Sequence, residues 1–206
     1  LRSDDHWRAL LDNPQTSPVR EFLQMHYELW HKSREQVEKL ERKLNEAIKT
    51  GEQAELNERF QQIPGVGPIV AMTVTATLGT PERFADASKV VSYGGLAPRT
   101  YESGEVQRRG HISKCGSTEL RAMLCEAAHH ARRACHPLNP YYRKHIGKHG
   151  YKKTIIAIAA RLLRIMWAMW KNGTHFDESK LGVVREVVGK RVCYRFAKSP
   201  NRLRGA

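Results

Sequence analysis

Between residues 17 and about 50, apolar side chains return at three-and-four spacing: Val19, Phe22 or Leu23, Tyr27, Trp30, Val37, Leu40, Leu44 and Ala47, with Glu and Lys between them. That period predicts one long amphipathic helix of coiled-coil character. Ser17 and Pro18 offer an N-cap and a first-turn proline, and Gly51 a stop. Its apolar stripe reads either as a self-association seam or spacer arm, or as the inner face of a helix folded onto its own domain. Shorter helical patterns follow over residues 54–62, 69–78 and 84–93, the last closed by Gly94-Gly95. Residues 96–112 break the period with Gly, Pro, Ser and charges, and read as a loop or irregular hairpin. Helical spacing resumes over 117–133, with Ser117 as N-cap and Leu120, Met123 or Leu124, and Ala127 or Ala128 facing inward. Pro137 and Pro140 then interrupt the chain, and residues 143–153 read as a basic loop. A core helix over about 154–171 carries Arg161 and Arg164, so it is too charged and short to cross a bilayer, and no membrane partner is expected. Residues 183–188 read as extended, and 190–204 as a basic, flexible terminus.

The expected fold is therefore mainly α: a long amphipathic coiled-coil helix, then a helical domain containing a helix-hairpin-helix motif and an irregular serine-bearing loop. We place a helical linker at 1–58, the main domain at 59–180 and a basic tail at 181–206. A chain of 206 residues can bury a core without disulfides or metals. It opens on Leu1 rather than Met, and we expect a fragment.

Charge narrows the function. Thirty-five Lys and Arg against 21 Asp and Glu give a formal charge of +14, an excess that suits a polyanion. Residues 21–58 are roughly balanced, whereas almost everything after Arg99 is basic, so the partner should meet the second half. A merely soluble basic surface is the bland alternative. The four cysteines lack C-x-x-C spacing and no secretory signal is apparent, which reads as reduced thiols in a cytoplasmic protein.

Two stretches carry candidate chemistry. In Ile63-Pro64-Gly65-Val66-Gly67-Pro68 two glycines allow a tight turn between helices, while Ile63 and Val66 lock it to a core. Amides freed at Gly65, Val66 and Gly67 and at the next helix start could hold a phosphate without reading bases. A simple packing corner is the competing reading. The second stretch sets Tyr101-Glu102-Ser103-Gly104 among Arg99, Arg108, Arg109 and Lys114. Guanidinium groups can orient a phosphodiester and stabilise charge developing on it, so a serine here is a possible nucleophile. By spacing alone, Ser113 and Ser117 compete equally, and Ser-Gly is a common turn pair.

Two weaker clusters remain. Cys125 and His129, one helical turn apart, followed by Cys135 and His136, could be read as a zinc site, but the second pair lacks ligand spacing and no metal site is assigned. Arg143, Lys144, Lys148, Lys152 and Lys153, interleaved with tyrosines, suit single-stranded or structured nucleic acid as well as they suit a solvated loop.

The ordered set Ile-Pro-Gly-Val-Gly, Tyr-Gly-Gly-Leu-Ala-Pro, Tyr-Glu-Ser-Gly, Gly-His-Ile-Ser-Lys-Cys-Gly and Leu-Arg-Ala-Met-Leu resembles the carboxy-terminal domain of bacterial insertion-sequence transposases of the DEDD type, the bridge-RNA-guided recombinases. The resemblance runs over about 63–176 and includes the closing Gly173-Thr174-His175-Phe176-Asp177. It implies DNA strand exchange through a covalent intermediate, with the family's serine falling at Ser103. It also implies a RuvC-like domain with four metal-binding acids ahead of this one, Mg²⁺ in the full-length protein with none held by this chain, a guide RNA, and a homo-oligomer joined through the long helix. None of those acids can be assigned here; Asp4, Asp5 and Asp12 lack the strand context. The alternative is a non-enzymatic helix-hairpin-helix module that binds DNA junctions or scaffolds repair.

Overall fold

The computed structural model describes residues 3–103 and 106–197; the side chains of residues 100–109 lie outside the described residues. The chain divides at Gly51 into two compact units.

In the first, α1 (Asp4–Asp12) and a 3₁₀ turn (Pro14–Val19) precede α2 (Arg20–Thr50). The sequence places the helix start at Ser17, but Pro18 lies inside the 3₁₀ turn. Asn13 caps that turn by accepting from the Gln15 amide at 2.9 Å. Two prolines four residues apart both suit a first-turn position, and the chain uses the earlier one. Helix α1 was not anticipated. Its Trp7 is buried against Tyr27 and Trp30, with ring centroids 5.9 and 6.2 Å away. At about 100° per residue, Tyr27 and Trp30 therefore belong to a different stripe of α2 from Phe22, Met25, Leu29 and Leu40. Those four are exposed, so the single apolar series read from the sequence is two faces.

The second unit is built around its longest helix. After α3 (Ala54–Gln61), α4 (Pro68–Leu78) and α5 (Ala87–Tyr93) comes an antiparallel ribbon, β1 (Pro98–Ser103) with β2 (Val106–Ile112). Then follow α6 (Thr118–His129), α7 (Asn139–Asn172) and a second ribbon, β3 (Val183–Val188) with β4 (Arg191–Phe196). The mainly helical class is as expected. Ile158, Leu162, Leu163 and Met166 of α7 are fully buried, in one cluster with Phe60, Val74, Val90, Leu120 and Leu124 from the other four helices. Each large side chain so buried contributes about 1.5–3 kcal/mol. Trp167 adds a directional tie, its indole N–H donating to the Pro81 carbonyl at 3.1 Å.

Two expectations need correction. Residues 143–153 are not a loop: Pro140 sits in the first turn of α7, where a missing N–H costs nothing, and the helix runs on to a kink at Gly150 (φ 72°, ψ 173°). Residues 191–196 are not a flexible terminus. They pair with β3, and Tyr194 donates from its hydroxyl to Glu178 Oε2 at 2.7 Å. Burial first, and then that bond, push the Tyr194 phenol up to about 12. Residues 198–206 lie outside the described residues.

Candidate nucleic-acid interface

The turn between α3 and α4 is set by backbone chemistry. Val66 N–H donates to the Ile63 carbonyl at 3.0 Å, with Pro64 second and Gly65 third at φ 84°, the pattern of a type II turn. Ile63 and Val66 are buried beneath it. The first hydrogen bond of α4 runs from Ala71 N–H to the Gly67 carbonyl at 3.0 Å, so the Ile69 and Val70 amides have no helical acceptor. The two glycines differ in kind. A methyl on Gly65 would stand 2.8 Å from His130 Cβ and 3.1 Å from the Ala127 carbonyl, whereas one on Gly67 would meet nothing within 4 Å. Gly65 serves packing, and Gly67 leaves an open approach.

His136 holds the turn from behind. Its Nδ1 accepts from Leu138 N–H at 3.0 Å, so Nε2 carries the proton and donates to the Pro64 carbonyl at 2.8 Å. Burial pulls its pKa below the usual 6.5, partly opposed by the Pro64 bond and reinforced by the nearby charges of His130 and Arg133. The unfolded chain then binds more protons than the folded one, so stability is full above about pH 6.5 and is lost as pH falls through that value toward the folded pKa. We expect the thermal midpoint to drop between about pH 7 and pH 5. His136→Gln, which keeps a donor but does not titrate, should flatten that slope; an unchanged slope would place the titration elsewhere.

The ribbon rises from the other end of α6. Ser113 N–H bonds the Ala97 carbonyl at 2.9 Å and Lys114 N–H the Gly95 carbonyl at 3.3 Å, which closes its base just before the Ser117 cap of α6. The turn packs instead on Ala127 and His130, at the far end of that helix. At 1.5 Å per residue, the base and the turn are roughly 15 Å apart along α6. The structure therefore does not bring the two predicted constellations into one pocket.

Within the ribbon, Ser103 ends β1 opposite Val106, and Arg108 and Arg109 lie in β2 opposite Tyr101 and Thr100. Their side chains, with Gly104 and Glu105, lie outside the described residues. Arg99 Nη2 donates to the Ser113 carbonyl at 3.1 Å, and exposed Lys114 takes a left-handed backbone (φ 55°). The rival hydroxyls are both engaged or enclosed. Ser117 Oγ accepts from Leu120 N–H and donates to Glu119 Oε2, each at 3.0 Å, and Ser113 Oγ is buried. Arg143, Lys144, Lys148, Lys152 and Lys153 are all exposed on α7, the first three before the Gly150 kink; Lys144 Nζ lies 5.6 Å from the Phe196 ring.

Sequence reasoning missed Asn139, Arg132 and Arg133, and weighed His136 only as a zinc-ligand candidate. Asn139 is buried and donates to the Ala131 and Arg132 carbonyls, both at 3.1 Å, fixing the 130–132 turn. The one available signal was a pair of polar residues flanking Pro137 where a loop needs none. The closing Gly-Thr-His-Phe motif also finds a place: Gln62, beside the turn, bonds His175 and accepts from Phe176 N–H at 3.1 Å.

Several relatives are similar to part of this chain. A transposase for insertion sequence element IS1328 from Yersinia enterocolitica is 29% identical over 148 residues, covering 70% of this chain and 43% of that protein. A pilin gene-inverting protein from Moraxella bovis is 32% identical over 130 residues, 60% of this chain and 40% of that protein. A transposase for insertion sequence element IS1111A from Coxiella burnetii is 29% identical over 116 residues, 54% of this chain and 32% of that protein. The chain thus spans less than half the length of each relative. Residues 57–143, from α3 through the turn, the β1–β2 ribbon and α6 into the first turn of α7, match the model of the transposase IS116/IS110/IS902 family.

Proposed function

We propose that this chain is the DNA-holding, nucleophile-bearing portion of a transposase that cuts and rejoins DNA through a covalent bond to Ser103. The reading is carried by one coincidence: the residues that match a transposase model, 57–143, contain both the turn with an open approach at Gly67 and the ribbon strand that ends in Ser103. The turn and the start of α4, a helix-hairpin-helix, hold the sugar-phosphate backbone through the Ile69 and Val70 amides, independently of sequence.

In the chemical step, Ser103 Oγ attacks phosphorus, a serine–phosphate ester forms and the bond to one strand oxygen breaks. The hydroxyl proton passes to a base, for which Glu102 and His111 are the local choices, and the leaving oxygen takes up a proton. Arg99, Arg108, Arg109 and Lys114 orient the phosphate and offset charge on it. Rejoining is the reverse: a strand hydroxyl attacks the ester and serine leaves, with no external energy source. The engagement of Ser117 and enclosure of Ser113 support Ser103 over either. Among the described residues no three His, Cys, Asp or Glu are grouped to hold a metal ion. The exposed cations of α7, interleaved with Tyr141, Tyr142 and Tyr151, suit a structured guide RNA. The exposed Phe22, Met25, Leu29 and Leu40 stripe of α2 supports self-association.

Gly67→Ala tests the backbone grip. Gly67 has φ −91° and ψ 177°, which any residue adopts, and the fold has room for the methyl. We expect unchanged folding and binding weakened about tenfold, roughly 1.4 kcal/mol, for unrelated duplexes alike. Unaltered affinity, or a loss confined to one sequence, would contradict backbone recognition at this turn.

A further inference from the structure

Beside the turn, the end of α6 carries a cluster that neither the sequence motifs nor the proposed reaction uses. His129, His130, Arg132 and Arg133 line one cleft, with Glu126 on its wall. His130 belongs to both features, because its Cβ backs Gly65 while its side chain lines the cleft. The cations are set in place from several directions. Tyr151, just past the Gly150 kink, is hydrogen-bonded through its hydroxyl to His129 Nδ1 at 2.7 Å and stacks on that ring at 5.7 Å. The Arg132 guanidinium lies 5.6 Å from the Tyr151 ring centre. Buried Asn139 holds the Arg132 carbonyl, and buried His136 ties the segment to Pro64.

Stability alone does not account for this arrangement. Cations at a helix C-terminus favour the macrodipole. Two further guanidiniums, both exposed, gain little from that. Among the described residues neither Arg132 nor Arg133 has a carboxylate within 4.0 Å, even with Glu126 in the same cleft. Unpaired guanidiniums with fixed backbones and an aromatic support are suited to bidentate capture of phosphate oxygens.

We infer that this cleft is a second phosphodiester site on duplex DNA, in which Arg132 and Arg133 hold backbone phosphates next to those held by the 64–69 turn, with Tyr151 and Asn139 as positioning residues. The inference rests on the proposed DNA grip at that turn. It gives the turn a register: one backbone contact can slide, whereas two on the same duplex fix its orientation.

The test is the salt dependence of binding of this chain to fluorescent duplexes of unrelated sequence. Each phosphate contact contributes about 0.9 to the slope of log affinity against log salt. Arg132→Ala/Arg133→Ala should lower that slope by about 1–2 and weaken binding at least tenfold, with an unchanged melting temperature. Arg132→Lys/Arg133→Lys should keep most of the slope and lose some affinity. Lys39→Ala/Lys43→Ala, an equal loss of charge on α2, should change neither. An alanine double variant that folds and keeps the wild-type slope overturns the second site while leaving the turn's grip intact. A loss seen with single-stranded RNA but absent with duplex DNA overturns the assignment to DNA. Failure of the wild-type chain to bind any duplex overturns the underlying reading instead.

Discussion

Ser103→Ala, made in a polypeptide of the relatives' full length, is expected to abolish the proposed covalent protein–DNA adduct, while the same substitution in this chain leaves duplex binding unchanged. Both halves follow from the separation along α6. The proposed grip lies at the 64–69 turn at one end, roughly 15 Å from the base of the ribbon at the other, so removing one hydroxyl from the ribbon should not disturb the backbone contacts. Among the described side chains, neither nearby serine is placed to substitute for the proposed nucleophile. Ser117 Oγ is committed to the α6 cap and Ser113 Oγ is enclosed, and water attack would release a free end rather than a bound one. The measurement is denaturing electrophoresis of labelled, nicked DNA after incubation with each protein. An adduct that persists in Ser103→Ala removes that serine from the mechanism. A wild-type protein that binds duplex yet never forms an adduct favours a non-enzymatic binding module.

The parts of this molecule legible in its sequence are those governed by local rules. Gly65 needs a left-handed backbone and Pro68 suits a first helical turn, so the turn and the start of α4 follow from residues 63–68 with no knowledge of the fold. Ser117 reads as a cap because its partner, the Leu120 amide, is three residues away. What the sequence hid depends on partners far along the chain. Tyr27 and Trp30 look like members of the α2 stripe until Trp7 covers them. Residues 143–149 look like a loop because Gly147 is a poor helix former and a single apolar residue, Ile146, sets no period, yet the helix is anchored by packing further along α7. Asn139 looks unremarkable and His136 reads only as part of a weak cysteine–histidine cluster; their roles come from carbonyls at Pro64, Ala131 and Arg132. Within the candidate site, the glycines could be seen but their division of labour could not. Only the neighbouring atoms separate Gly65, packed against His130, from Gly67, open to a ligand.

Gly116 supplies the largest expected loss of stability from a single methyl. Its φ is 118°, where an L residue is strained by about 1–3 kcal/mol, and a Cβ there would stand 2.0 Å from the Tyr93 carbonyl oxygen. That oxygen cannot retreat cheaply, because Tyr93 ends α5, whose Val90 and Val91 are buried in the core with α7. Gly116→Ala should therefore cost on the order of 3 kcal/mol or more, read as a fall in the denaturation midpoint. Gly147→Ala is the matched control, inside α7 with nothing within 4 Å of the added methyl, and should stabilise by about 0.5–1 kcal/mol. The contrast also reports on function. Gly116 sits two residues beyond Lys114 at the base of the ribbon and one before the Ser117 cap, so a shift that relieves the clash is expected to move the base of the ribbon. A folded Gly116→Ala protein is then expected to keep duplex affinity and lose adduct formation. Loss of affinity with adduct chemistry retained would mean that the ribbon, and not the turn, carries the grip.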